Sequence, residues 1–415
     1  MSVPVYLAKL AVKNPSDHRL AKIKRLCDAV GLADKVKPLG TVGEDEVVAI
    51  KLHFGEAGND TYLHPTFVRQ VVDCVKATGA RPFLTDTCTL YKSTRHNAVD
   101  HLETAYRHGF TPYVVDAPVI MADGVTSKCY EEVAVNLKHF ASVKIAQAFL
   151  SANAMVVLSH FKGHAMGGFG GAIKNLAMGC APQAGKIDQH GRNVVIYPKC
   201  IGCGQCVPLC PRNALSLEKA EKGRHAVIDK ERCIGCYECV TACKQGAIGV
   251  DTPNEYSDFA ERMAEYAYGA VKGKEGRICY LNFLLNVTPQ CDCAGWSEPA
   301  IVPDLGILAS EDPVALDTAC FDLVKEAHSL IPLGEHGAHS CGYDKFSALH
   351  PNTRGWHQVE YADRKGTHIL MLRPVFVHDK YIFIFQFCLC RQITLYFNWH
   401  NFLISAQRFY SCWFV

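Results

Sequence analysis

Short apolar runs alternate along this chain with longer stretches in which apolar residues recur every three or four positions. Residues 46–52 (EVVAIKL) and 154–158 (AMVVL) are continuous enough to be strands buried on both faces, and Pro82–Thr85 and Gly306–Ala309 resemble them. Between them the helical spacing predicts helices over 65–78, closed by Gly79, and over 97–108, closed by Gly109. Pro65 suits a first helical turn, where its missing N–H costs nothing, and the glycines suit C′ positions. A third helix is predicted over 313–328, opened by Pro313 after the cap residue Asp312. Strands alternating with helices imply an α/β fold with a largely parallel sheet.

The rhythm breaks twice. Residues 192–250 carry eight of the chain's 21 cysteines among Pro, Gly and short apolar pairs, and the α/β pattern resumes at about residue 258. This predicts a discontinuous main domain, 1–190 with 252–372, and a small α+β module inserted over 191–251. The tail, 373–415, is the second break: 13 of its last 41 residues are Phe, Tyr or Trp, a density that is an aggregation hazard if exposed. It is read as an aberrant, non-native end, against a packed C-terminal element or a membrane-associating segment.

The 415 residues are enough for two or three domains. Forty-three basic residues against 41 acidic ones give a charge of only +2, which argues against a nucleic-acid binder driven by bulk charge. The first residues do not have the layout of a secretory signal, and no run of about 18 apolar residues precedes position 375. The expectation is a cytoplasmic protein without a membrane span over residues 1–372. In such a chain, 21 cysteines point to metal or redox chemistry rather than a disulfide scaffold.

Cys200-x2-Cys203-x2-Cys206-x3-Cys210-Pro is followed by Cys233-x2-Cys236-x2-Cys239-x3-Cys243. Structural zinc, the competing reading, prefers two separated CxxC pairs. The tandem spacing resembles that of bacterial two-cluster ferredoxins. The resemblance implies two [4Fe–4S] clusters with crossed ligation: Cys200, Cys203, Cys206 and Cys243 for one, and Cys233, Cys236, Cys239 and Cys210 for the other. Ile201-Gly202 and Ile234-Gly235 supply an apolar cover and a turn beside each. Lys244 stands where the first repeat has Pro211.

The segment 159–180, SHFKGHAMGGFGGAIKNLAMGC, is the other dense signal. It follows a predicted strand, so it lies where α/β sheets keep their ligands. Gly167, Gly168, Gly170 and Gly171 would let backbone amides converge on an anion, and a helix starting at Ala172 would favour negative charge at its N-terminus. Neither the Walker A nor the G-x-G-x-x-G pattern is present. His160 and His164 are candidates for ligand or acid–base roles, or are satisfied structural histidines. Lys174 is a candidate anion contact or covalent attachment point, or a surface lysine. His53 follows the strand at 46–52, and Asp86-Thr87, with Tyr91 and Arg95 nearby, follows the one at 82–85. Cys291 and Cys293 are read either as grip, joined by Cys180, for a soft metal or further cluster or as free buried thiols. Cys27, Cys74, Cys129, Cys279, Cys320 and Cys341 are expected to be packing residues.

Taken together, KLHFGE (51–56), LTDTCTLY (84–91), HFKGHAMGGFGGAIKNLAMGCAPQAGK (160–186), TPQCDC (288–293) and DLGILASEDPVALD (304–317) resemble domain-of-unknown-function family 362 in its ferredoxin-containing form. A remoter similarity, over His160, Gly170-Gly171 and Lys174, is to the nickel-pincer lactate racemases. It implies a further metal or organic cofactor near Lys174. Three functions stay open: an iron–sulfur oxidoreductase passing single electrons to a small-molecule substrate, with His160, His164, Lys174 and His53 around it; an electron carrier or adaptor for a redox partner protein; and a non-redox racemase or transferase with structural clusters.

Overall fold

The structure is a computed structural model and describes residues 3–40, 46–191, 193–219, 223–250, 255–333, 341–364 and 374–377. Its strands are β1 (Val3–Ala8), β2 (Val47–Lys51), β3 (Arg81–Asp86), β4 (Val119–Met121), β5 (Tyr130–Ala134), β6 (Ser142–Ala146), β7 (Ala154–His160), β8 (Lys162–His164), β9 (Gly168–Gly170), β10 (Asn193–Val195), β11 (Leu215–Lys219), β12 (Arg224–Ile228), β13 (Ile248–Val250), β14 (Ile278–Leu284), β15 (Gly306–Ser310) and β16 (Pro374–Val377). The helices are α1 (Arg19–Ala29), α2 (Leu32–Val36), α3 (Pro65–Lys76), α4 (Ala98–Arg107), α5 (Pro112–Val115), α6 (Gln147–Ser151), α7 (Ala172–Ala177), α8 (Gln183–Gln189), α9 (Glu238–Ala242), α10 (Glu255–Val271), α11 (Pro313–Glu326), α12 (Lys345–Leu349) and α13 (His357–Arg364).

Eight strands form one sheet in the order β16-β1-β15-β14-β7-β2-β3-β4. Every neighbouring pair is parallel except the two that β15 makes with β1 and β14. The fold is therefore α/β with a largely parallel sheet, and β15 alone runs against the rest. Both faces are covered, which is why the central strands read as unbroken apolar runs. Val48, Ile50, Val156, Leu158 and Leu281 pack with α1 and α3 on one side. Ala49, Met155, Val157 and Tyr280 face the other side, packing with α7, α10 and α11.

The predicted helices form, with Asp312, Gly79 and Gly109 acting as expected and Asn97 adding a cap that was not foreseen. Asn97 caps α4 by accepting the N–H groups of Val99 and Asp100, and Asp312 caps α11 by accepting those of Val314 and Ala315. Gly79 and Gly109 take φ of +85° and +86°, the left-handed geometry that ends a helix.

The order β2–β3–β4 runs one way from β2, while β7 and β14 lie on its other side. The sheet thus changes winding direction between β2 and β7. A crevice outside the strand C-termini opens at such a point. The chain follows β2 with His53 and β7 with the glycine-rich segment, so both of these arrive at this crevice.

Residues 193–250 stay out of the main sheet and form two small sheets, β10 with β13 and β11 with β12. They carry an internal repeat of 33 residues. Ile201-Gly202 matches Ile234-Gly235, Asn213-Ala214-Leu215 matches Gly246-Ala247-Ile248, and both Asn213 and Gly246 have positive φ. Of the aromatic tail, Pro374–Val377 pairs with β1 in parallel, and the remainder, with the expectation that it is non-native, lies outside the described residues. Among the described residues no helix is long and apolar enough to cross a membrane.

Candidate functional site

A cavity of about 910 Å³ opens at the carboxyl ends of β2, β3 and β7. Its walls bring together His53, His160, His164, Gly170, Gly171 and Lys174, which the sequence singled out, with Asp86, Thr87, Tyr91 and Arg95 from the loop after β3. Cys291 and Cys293 face it from the loop after β14, whereas Cys180, buried behind α7, does not line it. Cys236, Tyr237 and Glu238 of the cysteine-rich segment form part of the same wall.

The Cys291-Asp292-Cys293 triplet is anchored through its middle residue. The fully buried Asp292 carboxylate lies 2.8 Å from His160 Nδ1 and 3.2 Å from Lys162 Nζ. Burial works to raise the Asp292 carboxyl, but His160 and Lys162 outweigh it and hold the group far below the usual range. The other ring nitrogen of His160, Nε2, is 3.0 Å from the Asn286 carbonyl oxygen. Both nitrogens of His160 are thus engaged, and in this structure its task is to fix Asp292.

The two flanking sulfurs point into the cavity, 2.6 Å apart, with Cys291 donating to Cys293. Lys174 Nζ is 3.7 Å from Cys291 Sγ, and His53 Nε2 is 3.5 Å from Cys293 Sγ. The hydrogen bond from Cys291, together with Lys174 and His53, pulls the Cys293 thiol well below its ordinary value despite burial, while the same hydrogen bond and burial push Cys291 up. Burial alone would lower Lys174, but the two sulfurs and Asp292 more than offset it, so the lysine stays a cation.

His164 is oriented by the turn that it starts. Its Nδ1 accepts the N–H of Gly167 at 2.9 Å and of Met166 at 3.3 Å. Burial, with Lys174 close by, lowers the ring well below its ordinary value, so it is neutral and Nε2 carries the hydrogen. His53 is likewise lowered by burial and by Arg95. Its Nδ1 faces the Gly55 N–H at 3.0 Å and its Nε2 faces Arg95 at 3.1 Å. A neutral ring can accept only one of these.

The glycine-rich run differs from the anion cradle expected of it. The N-terminus of α7 already holds an anion: Asp317 accepts the N–H groups of Ala172 at 2.7 Å and Ile173 at 2.9 Å. A Cβ on Gly171 would come within 2.3 Å of that carboxylate, and one on Gly170 within 3.0 Å of Lys174 Cδ. These two glycines make room for Asp317 and Lys174. Gly167 and Gly168 close the β8–β9 hairpin against Gly355 and Gln358, with φ of +71° at Gly168. They do not line the cavity.

Two lysines that the sequence did not flag, Lys51 and Lys186, line the same cavity. Lys51, fully buried, pairs with Asp86 at 3.0 Å and donates to Asn175 at 2.6 Å. Burial opposes the Asp86 charge, but Lys51 and His53 hold its carboxyl at about 2. Lys186 donates to Thr87 Oγ1, Cys88 O and Ala181 O. Arg95 pairs with Glu56 at 2.9 Å and donates to the Tyr91 hydroxyl at 2.8 Å. The lining holds six Lys or Arg side chains against three Asp or Glu, so the cavity favours an anionic occupant.

The eight motif cysteines fall into two groups around two small cavities. Cys200, Cys203, Cys206 and Cys243 wall one, and Cys210, Cys233, Cys236 and Cys239 wall the other. Each group takes three cysteines from one repeat and the fourth from the other. Backbone N–H groups point at the sulfurs in matched positions: Ala214 to Cys210 and Ala247 to Cys243, both at 3.2 Å. Among the described residues no three of these sulfurs lie within 4.8 Å of one another. Gly202 and Gly235 have φ near +66°, at +67° and +65°, and a Cβ on either would collide with a carbonyl oxygen. Of the cysteines expected to pack, Cys27, Cys279 and Cys320 are buried, but Cys129, directly before β5, is exposed.

No curated protein matches the chain in sequence. Among solved structures, the lactate racemase apoprotein from Thermoanaerobacterium thermosaccharolyticum aligns over 92% of this chain and 88% of its own, at 11% identity and a TM-score of 0.36. That likeness is too remote to carry over either architecture or chemistry. The family model described as Domain of unknown function (DUF362) matches residues 48–322, well over half of the chain, from β2 into α11. The chain belongs to this family.

Proposed function

We propose that this protein is an iron–sulfur oxidoreductase in which residues 191–251 form an inserted ferredoxin-type domain. Two [4Fe–4S] clusters would be held by Cys200, Cys203, Cys206 and Cys243, and by Cys210, Cys233, Cys236 and Cys239. The donor set supports this. Four thiolates around one zinc lie about 3.8 Å apart, given a Zn–S bond of ~2.3 Å, and no three of these sulfurs approach that closely. The crossed grouping is the one that two-cluster ferredoxins use. Each cluster, when bound, takes up and gives back a single electron.

The chain's own groups divide the remaining work. The Ala214, Ala226 and Ala247 amides, and the Asn193 side chain, donate to cysteine sulfurs and stabilise their negative charge. Leu215, Ala226 and Ile248 keep water from them. In the main cavity, Lys174 and the His164 Nε2–H supply a cation and a donor for an anionic substrate. The observation that carries the reading is the shared wall: Cys236, Tyr237 and Glu238 face the same cavity as Lys174, His164 and the Cys291–Cys293 pair.

The test is oxygen-free purification with iron and sulfide counts, followed by chemical reduction and a screen of small anions for reoxidation. Close to eight iron per chain, and reoxidation that Lys174→Ala abolishes without iron loss, are expected. Zinc in place of iron would refute the proposal. A carrier without chemistry of its own is the second reading. It is favoured by the outward face of the other cysteine group, where Cys203 is exposed beside Ile201, 66% exposed, and Tyr197, 55% exposed. It predicts that no small anion reoxidises the protein and that the main cavity binds none.

A further inference from the structure

The Cys291–Cys293 pair occupies the floor of the main cavity, and the geometry there argues for sulfur chemistry rather than metal binding. We propose that Cys291 and Cys293 form a redox-active dithiol, with Cys293 the attacking sulfur and Cys291 the resolving one, and that it reduces a small anionic disulfide.

Four observations converge on this pair. The sulfurs are one residue apart in sequence and 2.6 Å apart in space, so bond formation between them requires only a small movement. Asp292 between them is locked by His160 and Lys162, which keeps both sulfurs turned to the cavity. The two are unequal: Cys291 is 5% exposed and donates its hydrogen, while Cys293 is the more open and receives it. An incoming disulfide therefore meets Cys293 first. Finally, no ligand set closes around both sulfurs: His53 Nε2 reaches Cys293 at 3.5 Å but also faces Arg95 at 3.1 Å. Lys174 is a cation, the His164 Nδ1 is taken by the Gly167 amide, and among the described residues no third ligand atom joins the two sulfurs within 4.8 Å.

The steps balance. The Cys293 thiolate attacks one sulfur of R–S–S–R; that S–S bond breaks, a mixed disulfide forms on Cys293, and RS⁻ leaves. Cys291 gives its proton to the departing RS⁻, which becomes RSH. The Cys291 thiolate then attacks the Cys293 sulfur, the second RS⁻ leaves, and a Cys291–Cys293 disulfide remains. Resetting the pair to one thiol and one thiolate takes two electrons and one proton. The electrons come singly from a low-potential one-electron donor. This resetting step rests on the iron–sulfur reading above, since two one-electron centres match one two-electron couple. The dithiol itself does not depend on it. The excess of basic side chains in the lining selects for negative charge on R.

The experiment uses the full-length protein, purified without oxygen, with oxidised glutathione as the anionic probe and cystamine as the cationic one. Alkylation and mass spectrometry then read the peptide that carries both cysteines. The expected result is reversible loss of two hydrogens from that peptide as the glutathione ratio is varied. In Cys291→Ser a single glutathione is trapped on Cys293, and in Cys293→Ser trapping falls at least tenfold. Oxidised glutathione reacts at least tenfold faster than cystamine, and Lys174→Gln narrows that gap. A peptide that stays dithiol at every ratio, equal trapping in the two serine variants, or a pair shielded from alkylation by bound metal would each overturn the proposal. If the couple cycles with glutathione but reduced iron–sulfur centres fail to open the disulfide, the dithiol stands and the electron-delivery reading falls.

Discussion

Asp317 and Lys174 meet through one short helix: the Asp317 carboxylate accepts the first two free amides of α7, and Lys174 rides on the same turn. Asn282 from β14 adds a third donor to this carboxylate at 2.7 Å. Burial pushes the Asp317 carboxyl up to about 6 against those hydrogen bonds. An amide in its place can accept from some of the three donors but turns its own N–H groups toward the others. We expect Asp317→Asn to cost about 1–3 kcal/mol in denaturant unfolding, and Asp317→Ala more. Equal stability of all three proteins would show that the cap contributes nothing.

Asp292 sets a harsher case. It is fully buried and holds both His160 and Lys162. Removing the carboxylate leaves Lys162 buried without its counter-charge, and breaking a buried pair in this way costs about 3–5 kcal/mol. Asp292→Ala should therefore lower the unfolding midpoint strongly. Asp292→Ala combined with Lys162→Met should recover part of the loss, a double-mutant cycle that isolates the pair.

The crossed cysteine groups predict which replacements act alike. Cys206→Ser and Cys243→Ser should disturb the same centre and give matching electron paramagnetic resonance spectra after reduction. Cys210→Ser should match Cys239→Ser instead. Matching by repeat, with Cys206 alike to Cys210, would contradict the grouping seen around the two cavities.

His190 links stability to pH. Burial lowers its ring to about 4, with Arg262 and Lys174 acting the same way and the Lys186 carbonyl opposing. The unfolded ring titrates near ~6.5, so between those values the unfolded state binds more protons than the folded one. The contribution of this ring to stability should be complete above about pH 6.5 and be lost, by up to about 3 kcal/mol, as pH drops through the folded value. His190→Gln should flatten that part of the profile in urea titrations from pH 4 to 7.

Much of this architecture was readable along the chain. The runs Val48–Ile50, Pro82–Leu84 and Ala154–Leu158 of β2, β3 and β7 are buried and apolar, α4 shows in its helical spacing closed by Gly109, and α11 announces itself through Asp312. Strand β14 was not singled out, although its seven residues are fully buried; its polar Asn282 serves Asp317, a partner 35 residues away. Lys51, Lys186 and Asp317 were missed for the same reason. A buried charge is recognised by its partner, and these partners are brought close only by folding. The glycines signalled close approach correctly but not what approaches: at Gly170 and Gly171 it is Lys174 and Asp317.

The cysteine-rich segment enters on β10 and leaves on β13, and these two strands are hydrogen-bonded neighbours, with Asn193 opposite Val250. Partners in such an antiparallel pair stand only about 5 Å apart. The polypeptide therefore departs from the larger body and returns to it at nearly one point. A segment anchored like that can vary in length between those two strands without re-threading the eight-stranded sheet.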